Sequence, residues 1–377
     1  MLISLVCILL TLTTAYSTRP PSKRQLLPFP RMSSVSIDMI DDVMGPIIHM
    51  EIGSIKSRLT VLLDTGSTIL WVPGDPCLRP QESAQYFHQF PQFASMSFRL
   101  LDAQKKVEYN YADGCNVECS MVQDHIKLGS SFFVPDSTFC LAYTVTKIDK
   151  KFDGTLGLAH ISSGDHQIVQ PFFKWISQFN TRQITFNYDT SIAWTNAQGM
   201  KTGQFIMGDV NPQIMNGPMT WMNIVPHTSV DPSFPGVWSL MLSRITMDDF
   251  AVPIQKPIPI DTGSNYNVIP LDLYNAILRK LNLPQQPSQH TKVILPCSSI
   301  PQISLAFTFE GGIVPTIGVS PVTFTVRGQN LFFKYDESQC LLAYTPGDLF
   351  ILGTGFIRQF VTTFNYDTKQ IGFAHKF

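Results

Sequence analysis

The sequence has little charge and none of it is concentrated. Of 377 residues only 15% are Asp, Glu, Lys or Arg, the formal charge is −1, and no long Lys/Arg run occurs. This excludes the basic footprint of a nucleic-acid binder. With 44% hydrophobic residues it also excludes a disordered chain. Beyond residue 17 no apolar stretch approaches ~18 uninterrupted residues, so no membrane association is expected once the N-terminal run is removed. There is no Asn-x-Ser/Thr acceptor, hence no N-glycan to direct sorting. Long helical patterns are few; 27 Pro, 23 Gly and 27 Phe stand instead, a composition that favours β-structure with many turns.

The chain is long enough for two domains of roughly 150–200 residues. Residues 1–17, "MLISLVCILLTLTTAYS", form an apolar run ending in small residues and fit a secretory signal peptide, although no basic residue precedes the run. Residues 18–43 are rich in Pro, Ser and basic residues and read as a short leader, pro-segment or linker. Cys7 lies in the signal, which leaves Cys77, Cys115, Cys119, Cys140, Cys297 and Cys340. An even count in a secreted chain points to three disulfides. The spacing Cys115-x-x-x-Cys119 would also suit a metal, but no paired His accompanies it, and no metal or other cofactor is expected.

From about Met44 the pattern is strand-like. "KKVEYNYADGCNVECSMVQDHIKLG" alternates around the turn-forming Asp113-Gly114 and predicts a β-hairpin. "HQIVQPFFKWISQFN" and "LDLYNAILRKLNL" are the clearest amphipathic helices. A turn-rich stretch after "GQFIMGDVNP" divides the chain into 44–208 and 209–377. The halves rhyme: "TVLLDTGSTILWVP" and "PIPIDTGSNYNVIP" each set Asp-Thr-Gly-Ser between apolar runs, and each half later has an apolar Leu-Gly unit, "FDGTLGLAH" and "LFILGTGFI". This is a weak internal repeat, read as two related domains.

One Asp-Thr-Gly turn alone would pass as an Asx-type turn. A given four-residue string recurs by chance in on the order of one chain in several hundred, and twice in one chain far more rarely. If a pseudo-twofold relates the halves, Asp64 and Asp261 meet on its axis and share one proton. One carboxylate then acts as general base on a water while the other acts as general acid on the attacked carbonyl, without metal or covalent nucleophile. A two-carboxylate glycosidase is chemically possible, but it explains neither the repeated Thr-Gly-Ser nor the hairpin.

Over essentially all of residues 44–377 the chain resembles the pepsin-family (A1) aspartic endopeptidases. The resemblance rests on "VLLDTGSTILWVP", "IPIDTGSNYNVIP", "FDGTLGLAH" and "FILGTGFIRQFVTTFNYDTKQIGFA", and extends to "GVWSLMLSRITMDD" and the Cys297…Cys340 pair. It implies an all-β-dominated, bilobal double β-barrel with a few short helices and a cleft between pseudo-twofold-related lobes. It implies the catalytic dyad Asp64 and Asp261, with Thr65 and Thr262 cross-linking the loops, Ser67 and Ser264 supporting the carboxylates, and Gly66 and Gly263 beside the water. The hairpin becomes the flap: Tyr111, flanked by Asp113, would close over substrate, with the Trp71 indole N–H within reach of its hydroxyl. A strand aromatic facing a core is the alternative for Tyr111, since Tyr109 lies two residues away on the same face.

Several features depart from the family pattern. Cys115 and Cys119 stand at the flap, where a local disulfide would stiffen the lid; Cys77 would then pair with Cys140. Asn265 replaces the usual Ser or Thr after the second turn, and Thr354 replaces the Asp of a C-terminal Leu-Gly-Asp. The leader is short for a self-inhibiting pro-segment. The expectation is a secreted or endo-lysosomal, monomeric endopeptidase that cleaves polypeptide substrates at acidic pH. The alternative is a pepsin-like peptide-binding protein with weak or lost turnover.

Overall fold

Runs such as Val61-Leu62-Leu63 leave no polar face, and a strand built from them must be covered on both sides. All three residues are buried in strand Ser57–Asp64. The computed structural model describes residues 31–42, 45–78, 88–101, 106–146, 152–160, 171–193, 200–226, 236–247, 250–284, 292–314 and 318–377. The expected signal peptide and most of the expected leader lie outside them. Met32–Phe377 fold as one compact unit. It is dominated by strands, most of them joined in one extended sheet.

The two halves repeat a local topology. Ser57–Asp64 runs parallel to Gly154–Gly157, with Asp64 opposite Gly157, and the strand after the turn returns antiparallel, with Leu70 opposite Leu156. In the second half Ile260 pairs in parallel with Leu352, and Val268 pairs antiparallel with Ile351. Each Asp-Thr-Gly turn therefore has a Leu-Gly segment threaded beneath it. The halves are also stitched by backbone: Gln183–Tyr188 pairs with Val361–Asn365, placing Thr185 opposite Thr363, whose hydroxyls are 2.8 Å apart.

The alternating pattern of Asn116–Leu128 gives a long strand with every second side chain inward, interrupted by register shifts at Glu118/Cys119 and Asp124/Ile126. "LDLYNAILRKLNL" forms helix Leu271–Lys280, burying Leu273, Tyr274, Ile277 and Leu278. Asp272 at its first turn and Arg279 and Lys280 at its last complement the helix dipole. Of the other expected helix, the described part is helical over Pro171–Ile176.

Near the C-terminus a buried charge cluster ties distant segments together. Lys376 Nζ donates to Tyr188 O at 2.6 Å and to Arg358 O at 2.5 Å. Arg358 Nη1 lies 3.5 Å from Asp41 Oδ2, and the guanidinium sits 5.0 Å from the Phe333 ring centroid. Burial, and secondarily the Arg358 charge, pull the Lys376 ammonium down to about 7, against Asp41 and Asp189. The unfolded chain then binds the proton up to its ordinary 10.5, while the folded chain has released it near 7. Folding stability must therefore rise across that window. Relative to Lys376→Met, the wild type is expected to gain about 4 kcal/mol between pH 7 and 10.5. Urea midpoints measured at matched pH check the slope; parallel curves would refute it.

Candidate active site

Each Asp-Thr-Gly loop holds its own carboxylate from behind. The Gly66 N–H donates to Asp64 Oδ1 at 2.8 Å, and the Gly263 N–H donates to Asp261 Oδ1 at 2.8 Å. The threonines cross between loops. Thr65 N–H donates to Thr262 Oγ1 at 3.0 Å and Thr262 N–H donates to Thr65 Oγ1 at 2.9 Å. Their hydroxyls continue to the opposite strands, Thr65 Oγ1 to Ile260 O at 3.0 Å and Thr262 Oγ1 to Leu63 O at 2.7 Å. Both threonines are fully buried, so these bonds satisfy donors and acceptors that water cannot reach.

The cross-links bring the two aspartates together. A methyl group on Gly66 would stand 2.7 Å from Asp261 Cγ, and one on Gly263 would stand 2.3 Å from Asp64 Oδ1. Each glycine thus lies against the carboxylate of the other loop. Asp64 is 5% exposed, while Asp261 is half-buried.

The Leu-Gly segments support both loops from below. Leu158 N–H donates to Asp64 O at 2.7 Å and Ala159 N–H to Ser67 O at 2.9 Å. In the second half Asp261 N–H donates to Leu352 O at 3.0 Å and Thr354 N–H to Ser264 O at 2.8 Å. Thr354 is buried, and its hydroxyl donates to Asn265 O at 2.7 Å. The Asn265 side chain lies against Gly45, the first residue of strand Gly45–Ile52, where a methyl would come within 2.9 Å of Asn265 Oδ1. Thr354 therefore bonds the backbone of Asn265, whose side chain reaches Gly45.

Ser264 Oγ donates to Tyr266 O at 2.9 Å, and among the described residues no hydrogen-bond partner reaches Ser67 Oγ. Among the described residues, no three His, Cys, Asp or Glu side chains gather closely enough to hold a metal ion.

The hairpin forms between Lys106–Asn110 and Asn116–Leu128. Its turn is closed by Tyr111 N–H to Cys115 O at 2.8 Å and Gly114 N–H to Tyr111 O at 2.9 Å. Gly114 takes φ 82°, which a side chain would resist. The Asp113 carboxylate accepts from Cys115 N–H at 2.9 Å, so it braces the turn. Trp71 Nε1–H donates to Tyr111 Oη at 2.8 Å. Burial first, then the neighbouring Tyr109 and Asp64, push the Tyr111 phenol well above its ordinary value; hydrogen bonds from Trp71 and Thr155 act in the other direction. The Tyr109 ring packs 5.0 Å from that of Tyr111.

The expected cysteine pairing at the flap is corrected. Cys119 is joined to Cys140, not to Cys115, and Cys140 is thereby removed from the expected pair with Cys77. Asn116–Leu128 lies antiparallel to Phe132–Thr146 with Cys119 opposite Ala142, which brings Cys140 one diagonal step away. Cys115 lies just before strand Asn116–Leu128, at the hairpin turn, and is buried. Cys77 and Cys115 are buried in the same apolar cluster, with Trp71 and Val117. Cys297 and Cys340 are joined with Cα atoms 5.0 Å apart. Peptide mapping of the unreduced protein is expected to return Cys119–Cys140 and Cys297–Cys340; a Cys115–Cys119 peptide would overturn the first.

The family model of eukaryotic aspartyl proteases matches residues 47–376. The chain belongs to the eukaryotic aspartyl protease family. It is an aspartic endopeptidase with the bilobal, mostly β pepsin-like fold. Among curated relatives it is 25% identical over 340 residues to a vacuolar aspartic protease of Candida albicans, covering 86% of this chain and 74% of the relative. It is 24% identical over 331 residues to pepsin A of Bos taurus, at 86% and 82% coverage. To renin of Rattus norvegicus it is 23% identical over 335 residues, at 86% and 77%. No helix among the described residues is long and apolar enough to cross a membrane.

Proposed function

We propose that Asp64 and Asp261 are the catalytic dyad and that residues 44–208 and 209–377 are the lobes that meet around them. The observation that supports this most directly is reciprocal: each loop's glycine lies against the other loop's aspartate, while each loop's threonine bonds into the other. Two carboxylates so close share one proton. A water between them gives a proton to the ionised carboxylate as its oxygen adds to the scissile carbonyl carbon, and the protonated carboxyl gives its proton to the carbonyl oxygen. The resulting diol collapses as the C–N bond breaks, one hydroxyl proton returning to the dyad and one dyad proton going to the leaving nitrogen. Tyr111 closes over the bound peptide from the flap and limits water access.

Such a dyad works in the range where one carboxylate is protonated, so the pH optimum is acidic. With the apolar N-terminal run, this supports a secreted or endo-lysosomal enzyme acting as a monomer on internal bonds flanked by apolar or aromatic residues. The test is incubation with denatured globin across pH 2–7, with and without pepstatin, beside Asp64→Asn. Pepstatin-sensitive cleavage absent from the variant is expected; no such cleavage anywhere in that range would reject the reading.

A further inference from the structure

Thr155 is a hydroxyl residue in an otherwise apolar setting. Its neighbours in "FDGTLGLAH" include Phe152, Leu156 and Leu158, all buried, and Thr155 itself is 3% exposed. A hydroxyl so enclosed is destabilising unless it is bonded. In the sheet Thr155 stands directly opposite Trp71 across an antiparallel pair. Directly opposed residues project to the same face with their side chains adjacent. The Trp71 face is the one that meets the flap, since Trp71 Nε1–H reaches Tyr111 Oη at 2.8 Å. Thr155 therefore lies beside that indole beneath the flap, and its side chain acts on the Tyr111 phenol in the same direction as the Trp71 hydrogen bond.

We infer that Thr155 is a positioning residue for the flap, its hydroxyl joining the Trp71 indole N–H as the second donor to Tyr111 Oη and so directing the phenol's own proton into the cleft. The stereochemical basis is simple. An indole N–H can only donate. If Thr155 donates as well, both acceptor positions of the phenol oxygen are filled, and its hydrogen must point away from both, where a substrate carbonyl can accept it. With Trp71 alone, the phenol hydrogen has two orientations and the flap has one anchor. This inference rests on the proposed role of Tyr111 over the dyad.

The experiment is a double-mutant cycle on the full-length enzyme with denatured globin and one defined peptide. Thr155→Val keeps shape and removes the hydroxyl; it is expected to lower kcat/KM about 5–10-fold, the worth of one enclosed hydrogen bond. Thr155→Ser restores the hydroxyl and is expected to recover at least about half of the loss on a logarithmic scale. In a Tyr111→Phe background the Thr155→Val effect is expected to shrink below about twofold, because the shared partner is gone. A merely structural role would leave the Thr155→Val loss unchanged in that background. Should the valine variant not fold, Thr155→Ala carries the same cycle. Undiminished activity of Thr155→Val, or equal losses with and without the Tyr111 hydroxyl, overturns the inference. Absence of cleavage by the wild type would instead overturn the proposed dyad chemistry.

Discussion

Asp261→Asn is expected to lower kcat on denatured globin on the order of 10³-fold while leaving the fold intact. The substitution keeps volume, and the asparagine Oδ1 can still accept the Gly263 N–H that now meets Asp261 Oδ1 at 2.8 Å. What it removes is the exchange of a proton, which carries general acid–base catalysis. Asp64→Asn should cost as much, and the double variant little more, because the two carboxylates act as one unit. Initial rates, with thermal melts as a check on folding, decide the matter. An Asp261→Asn enzyme within tenfold of wild type would sink the dyad assignment.

The core of this site was legible because its signal is a repeated short string. The first Asp-Thr-Gly turn follows a run, Val61-Leu62-Leu63, that requires a strand covered on both faces, and the Leu-Gly units require close backbone approach. Gly157 shows the latter: a methyl there would lie 2.4 Å from Ile69 N. The hairpin was equally legible, because Asp113-Gly114 supplies both the side-chain brace and the positive φ that its turn needs.

What could not be read depended on register. The Cys119–Cys140 bridge follows from a bulge between Glu118 and Cys119, which shifts the strand by one residue against Phe132–Thr146. No local pattern announces such a shift. Ser264 Oγ donates to Tyr266 O, a backbone carbonyl two residues away that no sequence pattern marks as its partner. Within "FDGTLGLAH" the Leu-Gly spacing is the conspicuous feature, and Thr155 carries no motif of its own. The available signal was a hydroxyl among buried apolar neighbours, which becomes informative only once Trp71 is known to lie opposite.

Gly263→Ala is expected to reduce activity about 100-fold, the scale associated with a misplacement of about 1 Å at reacting groups. Its new methyl would stand 2.3 Å from Asp64 Oδ1 and 3.2 Å from Asp261 Oδ1, so it crowds both carboxylates. Asp64 has little room to yield, being buried and held by the Gly66 N–H at 2.8 Å. Gly66→Ala presses instead on Asp261, at 2.7 Å from Cγ and 2.8 Å from Oδ2. Asp261 is more exposed and can move toward the cleft, so this variant should lose less activity than Gly263→Ala. Each substitution is also expected to lower stability by about 1–3 kcal/mol through overpacking. Comparing the two rates under conditions where both variants are folded isolates the asymmetry of the pair. If Gly263→Ala stays within threefold of wild type, or Gly66→Ala is the more damaging, then the first aspartate is not the more tightly held member of the dyad.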